Sequence, residues 1–515
     1  MAKKIKSQQP MSTAQQLGSI IKSCRDIMRK DKGLNGDLDR LPMLTWVMFL
    51  KFLDDMETIR AEEAALVSRR YKPIIEAPYR WRDWAGKEDG ITGDDLIAFI
   101  NNDEAKGQNG KRGAGLFAYL RALQGANGGD RRDVIATVFR GLNNRMLNGY
   151  LLRDILNKVN GIHFNSSDEI HTIGYLYESM LKEMRDTAGD SGEFYTPRPV
   201  IKFMVKVINP QLGETILDPA CGTGGFLAET FEHLKAQCKR TEDFRKLQEE
   251  SLHGIEAKSL PYLLCQMNLM LHGLEYPQID PGNALRFPLN EIGDRERVDI
   301  VLTNPPFGGE EEKGIQNNFP DDKRTAETAL LFLQLIMRKL RRPIGGKKPG
   351  RCGIVVPNGT LFGDGVCARI KEELLKDYSL HTIVRLPNGV FAPYTSIPTN
   401  LLFFDRSGPT KDIWYYEQPL PESRKSYTKT KPMQFEEFED CIKWWNKRKE
   451  NGRAWKVQAS DVAANNFNLD IKNPNGKEDF EHRPPEQLVD DIIAKEQKIL
   501  KIMSEIRNVL AEGSR

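Results

Sequence analysis

The sequence predicts an α/β protein: a mainly parallel sheet with an antiparallel edge strand, entered through an all-α N-terminal domain and left through a C-terminal helix. Three observations predict it. Up to about residue 165, apolar side chains recur at three- and four-residue steps, the period of a helix face. From there to about 420, short apolar runs alternate with helical patterns, the order required by a parallel sheet covered on both faces. Beyond 420 the chain turns polar and aromatic before a last amphipathic stretch. The expected regions are therefore 1–165, 166–420 and 421–515.

In the first region Leu44, Val47, Met48, Phe52 and Met56 trace one helix face. Val134, Val138, Leu142 and Met146 trace another, between Gly128-Gly129-Asp130 and Gly149. The stretches Gly86–Gly93 and Gly107–Gly115 break the period and read as turns. In the second region Thr215–Leu217, Leu252–Ile255, Val298–Leu302, Gly353–Val356 and Thr382–Leu386 read as buried strands. Helices over Phe226–Cys238, Ser259–Leu271, Thr328–Lys339 and Ala368–Leu375 separate most of them. Leu401–Phe404 and Ile413–Tyr416 have no helix between them and read as antiparallel edge strands. In the third region Trp444, Trp445 and Trp455 precede a helix that begins after Pro484-Pro485 and runs over about 485–511. Its Ile492, Ile499 and Ile506 fall seven apart, with Ile502 and Val509 three after two of them, a coiled-coil-like seam for its own domain or for a partner.

Composition bounds the function. The chain has 515 residues, with 75 basic against 72 acidic side chains and a net charge of +3, too small for a polybasic nucleic-acid binder. Any nucleic-acid argument must rest on local residues. Seven scattered cysteines (Cys24, Cys221, Cys238, Cys265, Cys352, Cys367 and Cys441) form no CxxC pair and have no histidine cluster beside them, which argues against a metal site and for a reducing, cytoplasmic setting. The longest apolar runs, near Leu44–Leu53 and Ala329–Met337, are about half a membrane span, and no apolar segment follows the N-terminal lysines. A soluble chain without a membrane role is expected.

Two motifs carry chemistry. Asp218-Pro219-Ala220-Cys221-Gly222-Thr223-Gly224-Gly225-Phe226 follows a strand and opens a helix, so its glycines let backbone amides approach a ligand. The dinucleotide fingerprint fails, because Leu227 occupies the place of the third glycine. A carboxylate directly after the strand suits a cation better than a pyrophosphate, and a sulfonium with an amino-acid tail, S-adenosylmethionine, meets that requirement. Glu256 ends the next strand, where a carboxylate can accept bonds from ribose hydroxyls.

The second motif, Asn304-Pro305-Pro306-Phe307, lies just past the carboxyl end of another buried strand, where open α/β sheets bind their ligands. An exocyclic amine is a poor nucleophile because its lone pair is conjugated into the ring. The Asn304 side-chain oxygen and the Pro305 carbonyl would hold both of its N–H groups and turn the lone pair toward a methyl donor. The prolines fix the backbone that carries these acceptors, and Phe307 offers a stacking face. A base inside a duplex must be flipped out to reach such a pocket. No Pro-Cys pair exists for a cytosine-C5 mechanism.

Upstream stands Gly192-Glu193-Phe194-Tyr195-Thr196-Pro197-Arg198-Pro199, which resembles the cofactor motif of amino-methyltransferases in the γ motif order. With the two motifs above, Leu386-Pro387-Asn388-Gly389-Val390-Phe391 and Asn466-Phe467-Asn468-Leu469-Asp470, the chain resembles the modification (M) subunit of type I restriction–modification systems over most of its length. The resemblance implies a Rossmann-like methyltransferase core, S-adenosylmethionine as cofactor, and transfer to adenine N6 in double-stranded DNA. It places Glu193, Phe194, Tyr195, Thr196 and Pro197 at the methionine end of the cofactor. Asp218, Ala220, Gly222, Thr223 and Gly224 would surround its backbone and sulfonium, Glu256 its ribose and Asn283 its adenine ring. Asn304, Pro305, Pro306 and Phe307 would hold the target amine, with Phe307 and Phe391 stacking the base. Cytosine-N4, RNA-adenine and protein-glutamine amide transfer use the same tetrad and stay open, as does a silent scaffold.

No GxxxxGK[ST] loop is present, which argues against translocation by this chain. About a hundred residues follow Asp405, too few for a large recognition domain beside the closing helix. A separate specificity (S) subunit is therefore expected, together with a second M copy and a restriction/translocase (R) subunit. The basic cluster Arg338–Arg351 has the charge to bind DNA phosphates, but it lies on the sheet edge opposite the inferred crevice and reads rather as a solvated loop or a partner contact. The long loop Gly308–Arg324, with acidic Glu310-Glu311-Glu312, reads as a mobile substrate element.

Overall fold

The computed structural model describes residues 13–66, 68, 70–125, 131–162, 196–475 except for 276, 347, 393–394, 396, 422–423, 425 and 429, and single residues within 496–503. The N-terminal region contains helices α1 (Thr13–Met28), α2 (Asp37–Leu66), α3 (Trp81–Trp84), α4 (Gly93–Asn101), α5 (Leu116–Arg121), α6 (Arg131–Arg140) and α7 (Gly149–Asn160). Its core is aromatic, with Trp46 edge-on to Phe117 and Phe117 edge-on to Phe139. One expected turn instead holds a small antiparallel hairpin, β1 (Glu104–Lys106) and β2 (Arg112–Ala114), too short and polar to show as an apolar run. The second expected helix also stops early. Gly141 follows α6, and Leu142 and Met146 are buried from a non-helical connection whose Leu147 and Asn148 amides bond the Asp31 carboxylate.

This region sits on one helix of the sheet domain, α11 (Ser259–Leu271), in which every residue from Pro261 on is buried. Gly141 allows the close approach: a Cβ there would stand 3.1 Å from the Ser259 Cβ. Arg60 of α2 pairs with Glu275 just beyond α11.

Among the described residues the central sheet has nine strands: β3 (Ile216–Asp218), β4 (Leu252–Ile255), β5 (Gln278–Asp280), β6 (Ile300–Thr303), β7 (Arg351–Pro357), β8 (Ser379–Arg385), β9 (Thr399–Asp405), β10 (Asp412–Glu417) and β11 (Ala454–Gln458). Their spatial order is β11-β10-β8-β9-β7-β6-β3-β4-β5. The connecting helices are α8 (Arg198–Ile208) before β3, α9 (Gly225–Lys235) and α10 (Thr241–Glu249) before β4, and α11 before β5. Then α12 (Lys313–Gln316) and α13 (Thr328–Lys339) precede β7, and α14 (Asn358–Phe362) and α15 (Val366–Asp377) precede β8. The chain runs outward from β3 to β4 and β5, then returns to β6 on the other side of β3. That reversal opens a crevice at the carboxyl ends of β3 and β6.

The expected pair of antiparallel edge strands requires correction. β9 is antiparallel but interior, with Leu402 paired to both Ile354 and Ile383, and six of its seven residues are buried. β10 is parallel to β8, with Tyr415 opposite Ile383. No helix is needed between them, because β9 itself carries the chain back to the amino end of the sheet. The antiparallel edge strand is β11, which comes from residues beyond 420. Helix α16 (Glu439–Asn446) also packs on the sheet domain, with Trp445 against Phe403, and Trp455 stacks on Tyr415. A short helix, α17 (Ala459–Ala464), leads to the 466–470 segment. That segment straps the sheet through Leu469 N–H to the Leu361 carbonyl and Arg385 to Asp470. Most of the expected closing helix lies outside the described residues. Within it Ile499, Leu500, Ile502 and Met503 are helical and exposed.

Candidate active site

The glycine turn is built where β3 ends. Gly222 and Gly224 take φ of 53° and 79°, the left-handed region that a side chain disfavours. A Cβ on Gly224 would stand 2.7 Å from Cys265 Sγ on α11, so the turn lies directly against that helix. Asn268 of α11 donates to the Thr223 carbonyl at 2.9 Å and Arg198 of α8 to the Gly225 carbonyl at 3.1 Å, which pins the turn from both sides.

Two carboxylates flank it. Asp218 is 1 % exposed and accepts from the Ala220 amide at 3.2 Å and from the Thr303 hydroxyl at 2.7 Å, both at Oδ1. Glu256, just past β4, accepts from the Gly222 amide at 3.0 Å and the Lys258 amide at 2.8 Å. Burial pushes the Asp218 carboxyl up to about 7, against the lowering pull of its hydrogen bonds. Burial raises Glu256 as well. Two desolvated carboxylates beside a glycine-rich turn fit a cationic ligand bearing hydroxyls, as S-adenosylmethionine does.

Across the crevice, β6 delivers the second motif. Asn304 Nδ2 donates to Thr196 Oγ1 at 3.1 Å, whereas its Oδ1 is buried with no hydrogen-bond partner among the described residues. An unpaired buried acceptor costs free energy, about 1–3 kcal/mol. It marks the place where a donor belongs. Pro305 is buried. Phe307 meets Phe391 edge to face at 5.6 Å, and Phe391 is 3 % exposed, held as part of the wall.

Asn283 lies at the far side, after β5. Its Oδ1 accepts from the Leu285 amide, and its Nδ2 reaches Glu311 at 3.4 Å. Glu311 belongs to the expected mobile loop, which has structure of its own: α12, a 3-10 turn at Asp321–Lys323, and a bridge between Glu310 and Glu327. Its Phe319 is buried with Leu285 and Leu331, so this segment caps a small core beside the crevice.

The fold thus brings together Thr196, Asp218, Ala220, Gly222, Thr223, Gly224, Glu256 and Asn304, with Phe307 and Phe391 on the wall. Pro197 caps the start of α8. Glu193, Phe194 and Tyr195 lie outside the described residues. Sequence reasoning missed Thr303, Asn268 and Arg198 as supports of the site. Only Arg198 had a signal, standing within the upstream motif. Among the described residues no group of three metal-ligating side chains occurs.

The basic cluster sits at the amino ends of the strands, as its sequence position suggested, and two of its members are braces. Arg351 forks onto Glu214 at 2.7 and 2.9 Å and also bonds the Ile208 and Asn209 carbonyls. Arg341 pairs with Asp299 at 2.7 Å.

The N-6 DNA Methylase family profile matches residues 168–483, and the HsdM N-terminal domain profile matches residues 17–159. The chain is 47% identical over 506 residues to the type I restriction enzyme EcoEI methylase subunit of Escherichia coli, covering 96% of this chain and 97% of that one. A crystal structure of a modification subunit of a putative type I restriction enzyme from Vibrio vulnificus YJ016 is 70% identical, with a TM-score of 0.85 over 92% of this chain and 100% of that one. A chain from a structural study of assembly of the type I R-M system is 39% identical, with a TM-score of 0.78 over 98% and 99% of the two chains. Crevice, motifs and full-length similarity agree: the chain belongs to the N-6 DNA methylase family, among the modification (HsdM) subunits of type I restriction–modification systems.

Proposed function

We propose that this chain transfers a methyl group from S-adenosylmethionine to N6 of an adenine flipped out of double-stranded DNA, as the modification subunit of a type I complex. The observation that carries this reading is the buried Asn304 Oδ1, which has no hydrogen-bond partner among the described residues and stands at the end of the strand next to the one that carries the glycine turn. The cofactor, when bound, supplies an activated methyl on a sulfonium. Asp218 would hold its charged part, the positive φ of Gly222 and Gly224 shapes the turn beside it, and Glu256 has lone pairs left for ribose hydroxyls. Asn304 Oδ1 and the Pro305 carbonyl would accept the two N–H groups of the target amine. Nδ2 of Asn304 is already committed to Thr196, so the amide has one orientation and presents oxygen, not nitrogen. The charge that develops on the amine then meets two fixed carbonyl dipoles. Phe307 covers the flipped base.

The partners in this reading are DNA, a specificity subunit, a second copy of this chain and a restriction/translocase subunit, all in the cytoplasm. The exposed apolar helical residues Ile499, Leu500, Ile502 and Met503 support docking on the specificity subunit. The test is Asn304→Ala in the complex purified with its specificity subunit. Methylation of adenine in its DNA site should fall about 10²–10³-fold, while cofactor binding changes less than about twofold. Unchanged transfer would reject the reading.

A further inference from the structure

We infer that Thr303 is a positioning residue that orients and charges the cofactor carboxylate, Asp218, from the strand carrying the catalytic loop. The inference rests on the cofactor reading of the glycine turn. Backbone pairing between β3 and β6 covers only Ile216 with Ile300 and Leu217 with Val301. It ends before Asp218 and before Thr303, so the strands part at the crevice floor. Beyond that point the Thr303 hydroxyl bridges them, donating to Asp218 Oδ1 at 2.7 Å, with Thr303 fully buried and Asp218 1 % exposed.

This bond does two things. It fixes Oδ1 between β6 and the Ala220 amide of the turn, which leaves Oδ2 without a hydrogen bond among the described residues. It also favours the ionised carboxyl in a place where burial opposes ionisation. The titratable groups around Asp218 are Glu256 at the end of β4, whose charge opposes ionisation, Cys221 within the turn, and Cys265 behind it on α11. The Cys221 thiol is held well above its usual range and adds no charge. The Thr303 hydroxyl is therefore the side-chain donor that favours the anionic Asp218 against burial before a cation arrives. Because Thr303 directly precedes Asn304, the same strand end sets the acceptor for the amine and the charge for the methyl donor.

The experiment is calorimetric binding of S-adenosylmethionine to the full chain between pH 6 and 9. It compares wild type with Thr303→Val, which keeps the shape and removes the donor, and with Thr303→Ser, which keeps the donor. Wild-type affinity should weaken as pH falls through about 7. In Thr303→Val the weakening should begin at higher pH, with affinity about tenfold lower at pH 7.5 and the deficit shrinking toward pH 9. Thr303→Ser should bind within about twofold of wild type. Thr303→Ala serves as the second donor-free variant if Thr303→Val does not fold, with the same expected shift. A wild-type profile in the donor-free variant, a deficit equal at every pH, or a serine variant as weak as valine would each overturn the inference. Asp218→Asn separates the two levels: if it binds like wild type, the cofactor reading itself fails. If it loses binding while Thr303→Val does not, only the role of Thr303 fails.

Discussion

The two ends of the same strands are built on opposite rules. At the amino ends of β6 and β7, two arginines are matched: Arg351 forks onto Glu214, and Arg341 meets Asp299. At the carboxyl ends of β3 and β6, charges and dipoles are left short of partners. Burial pushes the ionisation of Asp218 up to about 7, and Asn304 Oδ1 accepts nothing among the described residues. Both ends contain polar side chains in partly dry surroundings, so composition does not separate them. What separates them is satisfaction. A matched pair returns the desolvation of its members as stability, whereas an unmatched buried group holds that energy until a ligand completes it. The basic cluster, the richest run of charge in the region, is thus in part framework, and the less charged crevice is the candidate site.

This contrast can be broken most directly at Asp218. Asp218→Asn should weaken cofactor binding about 100-fold, by loss of one buried charge contact. The same change should stabilise the unliganded chain at pH 8. Asp218 ionises near 7 in the folded chain instead of near 3.8, so folding favours its neutral form. The stability this confers is present below about pH 4 and is lost as pH rises through 7. An amide escapes that loss, and the gain at pH 8 should be roughly 1–4 kcal/mol, read as a higher midpoint in denaturant that vanishes near pH 4. Equal stability of the two proteins at pH 8 would remove the distinction between the strand ends.

At the opposite end the signs should reverse. Arg351→Ala removes a forked ion pair and two carbonyl contacts from a side chain only 23% exposed. It should cost about 1–3 kcal/mol of stability and leave cofactor affinity unchanged in the fraction that is folded. The smallest expected effect is at Lys348, which is exposed in the same cluster. Lys348→Ala should change stability by less than about 0.5 kcal/mol and leave DNA methylation by the complex unaltered. A large loss of methylation there would show that the cluster touches the substrate.

Much of the site was legible because its determinants are local. The glycines of 222–225 and the prolines of 305–306 constrain their own backbone, and the strands before them are short apolar runs that end where the motif begins. Helices α11 and α13 have the ends that periodicity assigns them. Illegible elements were short or polar. β5 has three residues with Gln278 exposed, and β11 lies in a polar stretch with an aromatic inward face. The interior place of β9 was hidden for another reason. An apolar strand carries no mark of which neighbours it will pair with, and Leu402 pairs with two strands far apart in sequence.

The sequence by itself determined which atoms can do chemistry and on which strand ends they stand, because residue type, turn chemistry and hydrophobic period act over a few neighbours. The tertiary structure alone decided what those atoms are bonded to. Thr303 reaches Asp218 across 85 residues, and Thr196 reaches Asn304 across 108. Whether a polar atom is satisfied or left waiting depends on desolvation and on partners that only the assembled interior supplies.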